Sequence, residues 1–273
     1  MQGAVSATLE LSGTSRRRVN RLGRPEMSGV IEIRPEPAII VVPPSRDISA
    51  PAAFEDIIPR ERSEAVSRAA NIIIAALVLI VLAPLFVLVA LAVKVTSRGP
   101  IFYSQVRVGV DRRFRKKTAY DRRGYDHGGK PFMMFKFRTM RVDAESDGRA
   151  VWASTNDPRV TPVGNFMRRT RLDELPQLLN VLRGDMNIVG PRPERPTIFA
   201  DLRRKMPGYP MRQRVKPGLT GWAQINLAYD ASIDDVRRKV QFDLDYMKRQ
   251  SLVHDLRIMS MTLPVMVFRR GSK

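Results

Sequence analysis

Ile72-Ile-Ile-Ala-Ala-Leu-Val-Leu-Ile-Val-Leu-Ala-Pro-Leu-Phe-Val-Leu-Val-Ala-Leu-Ala-Val93 runs for 22 residues without a charged side chain. Wound as a helix rising about 1.5 Å per residue, it reaches roughly the 30 Å of a bilayer's hydrocarbon core. Its length and continuity argue against a helix buried in a soluble core. The 71 residues before it argue against a cleaved signal peptide, which would start with a short basic segment. Pro84 falls near the middle, where a helix loses one backbone hydrogen bond and meets the carbonyl four residues earlier, so a kink is expected there. Arg60, Arg62 and Arg68 precede the run, and Lys94, Arg98 and Arg107 follow it. Basic flanks favour the cytoplasmic side, so both ends read as cytoplasmic. A re-entrant hairpin broken at Pro84 satisfies both flanks; a single straight span is the alternative.

Upstream, residues 1–62 carry Pro at 25, 35, 37, 43, 44, 51 and 59 in a mixed-charge background with no sustained period. They read as a disordered or loosely held tail. A small extra domain there would need more core than Ala38-Ile-Ile-Val-Val42. The net charge of +20 lies mostly beyond residue 68, where 37 Lys+Arg face 18 Asp+Glu. Such a field attracts anionic lipid, nucleotides or nucleic acid without choosing among them. The chain has no cysteine and only two histidines, His127 and His254. Disulfides, thiolate nucleophiles and Cys- or His-rich metal sites are excluded, and any metal must be held by oxygen, which favours Mg²⁺ or Mn²⁺.

Downstream, Ile101–Val108 and Phe132–Met140 carry β-branched and aromatic residues in partial alternation, which predicts two short strands of a small sheet. Residues 111–130 between them hold eight Lys+Arg with Phe114, Tyr120 and Tyr125 interleaved. They read as a solvated hairpin loop or as a patch for phosphate. Leu172, Leu175, Leu178, Leu179 and Leu182 recur at helical spacing, predicting one amphipathic helix from about Thr170 or Asp173 to a stop at Gly184. Pro176 is tolerable close to its start. Ser232-Ile-Asp-Asp235 resembles a capping box opening a helix that buries Val236, Val240, Leu244 and Met247. Leu256–Phe268 reads as a core helix or as one lying on a membrane surface.

The richest chemistry lies between Arg168 and Pro193. Asp173-Glu174 are adjacent acceptor-only carboxylates, suited to Mg²⁺ or to attack on phosphorus. Arg168, Arg171 and Arg192 supply guanidinium forks that match phosphate oxygens. Carboxylates in a helix's first turn also simply stabilise it, but that end equally favours phosphate, and arginines surround it. Pro217-Gly-Leu-Thr-Gly-Trp222 reads as turn geometry with a buried Trp, or as a wall for a ligand. Asp185 is a second acidic candidate, or a helix-end residue.

Lys136-Phe-Arg-Thr-Met140, Asp157-Pro-Arg-Val-Thr161, Asp173-Glu-Leu-Pro-Gln177, Leu182-Arg-Gly-Asp185, Gly190-Pro-Arg-Pro193 and Pro217–Asn226 occur in an order and spacing that resembles the bacterial sugar transferase family. These are the monotopic polyprenyl-phosphate phosphoglycosyl transferases, and the likeness covers about residues 65–270. It implies transfer of a sugar 1-phosphate from a nucleotide-diphosphate sugar to a polyprenyl (undecaprenyl) phosphate, releasing a nucleoside monophosphate and initiating exopolysaccharide synthesis. By motif, Asp173 would be the nucleophile forming a covalent phosphosugar intermediate, and Glu174 would help hold Mg²⁺ or manage protons. Lys136, Arg138, Arg168 and Arg192 match positive positions around the diphosphate. An Asp side chain, with an ordinary pKa of about 3.9, needs no base to ionise at neutral pH.

The resemblance implies an α+β, helix-rich fold with a small β-sheet or hairpin, one re-entrant Pro-broken membrane helix and amphipathic interfacial helices. Its parts are a tail (1–62), a membrane-inserted segment (63–96) and a catalytic domain (97–273) on the cytoplasmic face of the bacterial inner membrane. Membrane lipids are expected partners; nucleic acid is not, and no oligomeric state is implied. The chain departs from the family pattern at Ala83, where Ser is frequent, and in its long basic 111–130 loop. The absence of four preceding spans resembles the compact subfamily. A non-catalytic, membrane-anchored basic module would explain the charge and the apolar run, but not adjacent carboxylates set among arginines, where they would oppose an anionic polymer.

Overall fold

Ser63 starts the long helix: its hydroxyl accepts from the Val66 amide at 3.3 Å, and Glu64 follows in the first turn. In this computed structural model, which describes residues 57–112, 128–142, 144, 157–206, 208–227 and 233–267, helix α1 spans Glu64–Thr96. Pro84 lies inside it, and the chain stays one helix across that position, where the sequence predicts a broken hairpin. Only 11% of its most apolar 18-residue window is buried, with Ile80 and Val81 each more than 70% exposed. A soluble core helix would hide those side chains. By length and composition this is a helix able to cross a membrane.

Both ends of α1 are fastened to one body. Near its start, the Arg68 guanidinium donates to the carbonyls of Val181 and Leu182, and Asn71 Oδ1 accepts the Ile188 amide at 2.6 Å. Ala75 enters the main core with Leu178 and Val181. Near its end, Val89 and Val93 pack with Phe137 and Met167 in a second core. There Arg138 donates to the carbonyl oxygens of Ser97 and Arg98, each at 2.8 Å, and to the Ser97 hydroxyl at 2.7 Å.

The expected strands form an antiparallel pair, β1 (Phe102–Val108) and β2 (Pro131–Phe137), with Tyr103 opposite Lys136, Gln105 opposite Met134 and Arg107 opposite Phe132. Directly opposed residues share a face, so Tyr103, Gln105, Arg107 and Lys136 lie on the same side of the ribbon. Residues 113–127 of the basic segment, with Phe114, Tyr120 and Tyr125, lie outside the described residues, as do residues 1–56.

Helix α2 (Pro162–Thr170) is capped by Thr161, whose hydroxyl accepts from Gly164 N at 2.9 Å. It leads into a 3₁₀ turn, Leu172–Glu174, and then helix α3, Gln177–Arg183. Gly184 ends α3 in the left-handed conformation (φ 89°), as the sequence predicts. Next come β3 (Asn187–Val189), α4 (Pro196–Lys205), a 3₁₀ segment (Tyr209–Arg214), β4 (Gly218–Thr220) and α5 (Trp222–Asn226). Strands β3 and β4 pair in parallel, Asn187 with Gly218 and Val189 with Thr220.

Helix α6 (Ile233–Arg249) buries Val236, Val240, Leu244 and Met247, the face its spacing predicts; Ser232 itself is outside the described residues. Helix α7 (Leu252–Val267) buries Asp255 and Ile258 while exposing Leu252, Val253, Leu256 and Met261. The sequence leaves this helix open between core and surface, and its described side chains serve both. The end of the predicted tail is tied to these helices: Arg60 N donates to Met247 O at 3.0 Å, and Arg62 pairs with Asp255 at 2.7 Å. The described part is therefore helix-rich with small sheets, as expected.

Candidate active site

The acidic pair is placed by a local interruption. Arg171 takes the left-handed conformation (φ 55°), which few non-glycine residues adopt, and closes α2. The chain re-enters as a single 3₁₀ turn, and Pro176, lacking an N–H, separates it from α3. The single helix predicted from Thr170 to Arg183 is thus two pieces, and Asp173-Glu174 occupy the short turn between helices rather than the first turn of a long one. Both carboxylates are buried there.

Glu174 is the electrostatic hub. Arg192 engages both of its oxygens, NH2 to Oε1 at 2.5 Å and NH1 to Oε2 at 3.2 Å. Lys136 Nζ reaches Oε1 at 3.0 Å from β2, and Arg171 stands 4.0 Å from Oε2. Burial alone would push the Glu174 carboxyl up, but these cations outweigh it and hold the group well below the usual carboxylate range. Asp173 is treated differently. Burial is its strongest influence and pushes its carboxyl up, opposed first by Lys136, whose ammonium lies 3.8 Å away. The neighbouring Glu174 charge raises it further. Glu174 is pinned and charged; beside it, Asp173 stands 3.8 Å from the Lys136 ammonium and is the more basic of the two.

The predicted phosphate-binding positions fall in three places. Lys136 and Arg192 come together on Glu174. Arg168 is half-buried at the end of α2, and its charge lowers the carboxyls of both Asp173 and Asp157. Arg138 is buried and bonded to the Ser97–Arg98 end of α1. Asp157 and Arg159 form a bidentate clasp, 2.9 and 2.6 Å, that holds the Asp157 carboxyl down at about 2. Asp185 lies just beyond the glycine cap of α3, 3.5 Å from Arg183. Trp222 is half-buried at the start of α5 against the rings of His254 (5.4 Å) and Phe242 (6.4 Å).

Sequence reasoning missed two side chains beside the acidic turn. Asn180 is fully buried and stitches α3 to β2, accepting from Phe135 N at 3.0 Å and donating to Met133 O at 2.6 Å. Gln177, four residues past Asp173, is buried with an unpartnered Nε2. Their signal was the motif itself, since polar residues on the leucine-rich face of α3 break its apolar pattern.

Among the described residues no group of three or more His, Asp or Glu side chains forms a protein-only metal cage. Two adjacent carboxylates nevertheless fit Mg²⁺, which is commonly held by one or two carboxylates together with substrate phosphates. The arrangement is chemically suited to a phosphorylated ligand, with a buried carboxylate oxygen at Asp173 flanked by lysine and arginine.

Comparison with known proteins agrees with this chemistry. Residues 62–269 match the bacterial sugar transferase family. The chain is 42% identical over 198 residues to a UDP-glucose:undecaprenyl-phosphate glucose-1-phosphate transferase of Escherichia coli (strain K12), covering 72% of this chain but 39% of that protein. It is 36% identical to a UDP-N-acetylgalactosamine-undecaprenyl-phosphate N-acetylgalactosaminephosphotransferase of Aeromonas hydrophila, over 76% of this chain and 45% of the relative. The chain thus spans less than half the length of these two relatives. A glucose-1-phosphate transferase of the same description from Caulobacter vibrioides is 38% identical, over 76% of this chain and 72% of its own length. With its motifs, its acidic turn and this extended match, the chain belongs to the bacterial sugar transferase family.

Proposed function

We propose that the chain transfers a sugar 1-phosphate from a UDP-sugar to undecaprenyl phosphate, as the names of its relatives describe for them, in exopolysaccharide synthesis. The observation that carries this reading is the asymmetric acidic pair, Glu174 fixed by Arg192 and Lys136 beside a buried Asp173 that stands 3.8 Å from the Lys136 ammonium. An oxygen of Asp173 attacks the phosphorus bonded to the sugar, and the bond from that phosphorus to the bridging oxygen of the diphosphate breaks. UMP leaves with the bond's electron pair, and the sugar phosphate remains esterified to Asp173. A phosphate oxygen of the lipid then attacks the same phosphorus, which frees the carboxylate and yields the lipid diphosphosugar.

Charge repulsion is the obstacle to an anionic nucleophile approaching a diphosphate. Lys136, Arg168 and Arg192 offset it, and fixed cations stabilise the charge that develops on the leaving phosphate. Asp173 and Glu174 would hold Mg²⁺, or Mn²⁺ of the same class, beside the substrate's phosphates, and the ion would supply further neutralisation there. Arg138 supports the site through the end of α1.

The lipid acceptor requires the site to lie at head-group level. In this reading α1 enters and leaves the bacterial inner membrane by its cytoplasmic leaflet with a kink at Pro84, and residues 97–273 form the catalytic domain on that face. Support comes from the attachment of both ends of α1 to the same body, since a straight span would carry its ends to opposite sides.

The test uses the full chain in lipid nanodiscs with undecaprenyl phosphate and a panel of UDP-sugars. UMP should appear with one or a few sugars, only with Mg²⁺, and Asp173→Asn should abolish it. Turnover by that variant at the wild-type rate would exclude the nucleophile.

A further inference from the structure

Arg192 stands between two prolines in Gly190-Pro-Arg-Pro193. Pro191 and Pro193 fix φ but offer no amide donors, so this turn can be held chiefly through its carbonyls. Four successive carbonyls are held. Pro191 O accepts from Gly218 N at 2.9 Å, Arg192 O from Arg212 NH2 at 3.1 Å, Pro193 O from Arg107 NH1 at 3.2 Å, and Glu194 O from Val108 N at 2.9 Å. The two middle donors are guanidinium groups that the reaction scheme above does not use.

Each guanidinium is itself fixed. Arg212 has no exposed side-chain surface; Asp243 Oδ2 accepts from its Nε at 3.0 Å and lies 2.7 Å from its NH2, while NH1 donates to the Tyr209 hydroxyl at 2.7 Å. Arg107 donates through NH2 to Gln105 Oε1 at 2.7 Å, and Gln105 in turn donates to the Tyr103 hydroxyl at 3.0 Å. That series runs along the face of β1 shared with Lys136. A buried ion pair such as Arg212–Asp243 adds little net stability over well-packed apolar residues. What an apolar pair could not supply is the directed bond to the backbone of Arg192.

We propose that Arg107 and Arg212 are positioning residues that clamp the Pro191–Glu194 backbone from two sides and so hold the Arg192 guanidinium on Glu174. Asp243 and Tyr209 orient Arg212, and Gln105 orients Arg107. The clamp acts on the turn, not on the substrate. A lysine in either place keeps the charge but not the planar fork, and cannot hold its side-chain anchor and the turn's carbonyl in the same geometry.

The test has two arms, of which only the second rests on the transferase reading. In the first, hydrogen exchange of the full chain in nanodiscs is followed by mass spectrometry for Arg212→Lys, Arg107→Lys and the milder Tyr209→Phe. Exchange in peptides covering 187–195 should accelerate by about tenfold or more in the lysine variants and less in Tyr209→Phe, with peptides of α1 unchanged. Unchanged exchange at 187–195 overturns the clamp, and so does an acceleration spread evenly over the chain. In the second arm, each lysine variant should lower kcat/KM for UMP release by about tenfold or more. The same substitution added to Arg192→Ala should cost nothing further, because its effect passes through Arg192. Multiplying losses would show independent roles and overturn the proposal. If wild-type protein turns over no UDP-sugar, the proposed function fails while the exchange arm still decides the clamp.

Discussion

Arg192 grips both oxygens of Glu174, at 2.5 and 3.2 Å, across 18 residues of sequence that include all of α3 and β3. Replacing the carboxylate therefore leaves two cations, Arg192 and Lys136, facing each other without their shared counter-charge. Glu174→Gln should lower stability by about 2 kcal/mol, less than for a fully enclosed pair because Arg192 is partly exposed. A thermal melt in detergent measures this, and UMP release should fall by about a hundredfold or more. An unchanged melting temperature would contradict the hub role of Glu174.

Asn71 makes a comparable link at the start of α1. Its side chain accepts the buried Ile188 amide at 2.6 Å and donates to Ser67 O at 2.7 Å. Asn71→Ala should strand that amide and cost about 1–3 kcal/mol. Asn71→Leu, although more apolar, should be no better, and equal or greater stability in a melt would show that the bond is dispensable.

Gly164 sits in α2, where glycine normally weakens a helix and alanine would be expected to gain about 1 kcal/mol. Here an added Cβ would fall on the backbone carbonyl of Thr139, which cannot rotate away. Gly164→Ala should therefore destabilise, by about 1–3 kcal/mol, and displace α2 with Arg168 at its end. A melting point above wild type would show that the contact relaxes cheaply.

His254 gives the pH dependence a defined sign. Burial lowers its pKa from 6.5, its Nε2 is without a partner, and the Trp222 and Tyr246 rings lie against it. The nearby Asp255 opposes the shift, while Arg257 and Arg249 reinforce it. The unfolded chain then binds this proton more readily than the folded one, so the contribution is complete above pH 6.5 and is lost as pH falls below it, levelling off beneath the folded pKa. His254→Gln should flatten the acid side of the melting profile. An imidazole midpoint above 6.5 by NMR would reverse the argument.

The absence of cysteine makes topology accessible to single labels. Ser97 accepts from Arg138, so exposed neighbours serve better as probes: Ala65 in the first turn of α1 and Arg98 after its end. Cysteines at both positions should react with an impermeant reagent added from the cytoplasmic side. Labelling from opposite sides would establish a full span.

Local patterns carried much of this architecture. Alternation in Phe102–Val108 and Pro131–Phe137, the stop at Gly184 and the buried face of α6 were legible because each is set by neighbours a few residues apart. The helix predicted through Asp173 failed for a local reason of another kind. Arg171 adopts a conformation its residue type disfavours, and Pro176 withholds a donor, so leucine spacing continued across a gap in the helix. Long-range pairings such as Arg212 with Asp243, or Arg138 with Ser97, leave no periodic trace. They depend on which surfaces meet after folding. The motif order located the acidic pair, while its unequal partners became visible only in three dimensions.

The double fastening of α1 bears on mechanics as well as placement. A lone membrane helix answers a thicker or thinner bilayer by tilting, at a small cost for each ångström of mismatch. With Asn71 bound to Ile188 near its start and Ser97, just past its end, bound to Arg138, tilting α1 alone would break both links. Seated in a bilayer, it would pass any change in thickness to the whole body, tipping Asp173 relative to the lipid surface. Under the proposed function, the composition of the surrounding lipid would then act on transfer through the angle at which the domain rides.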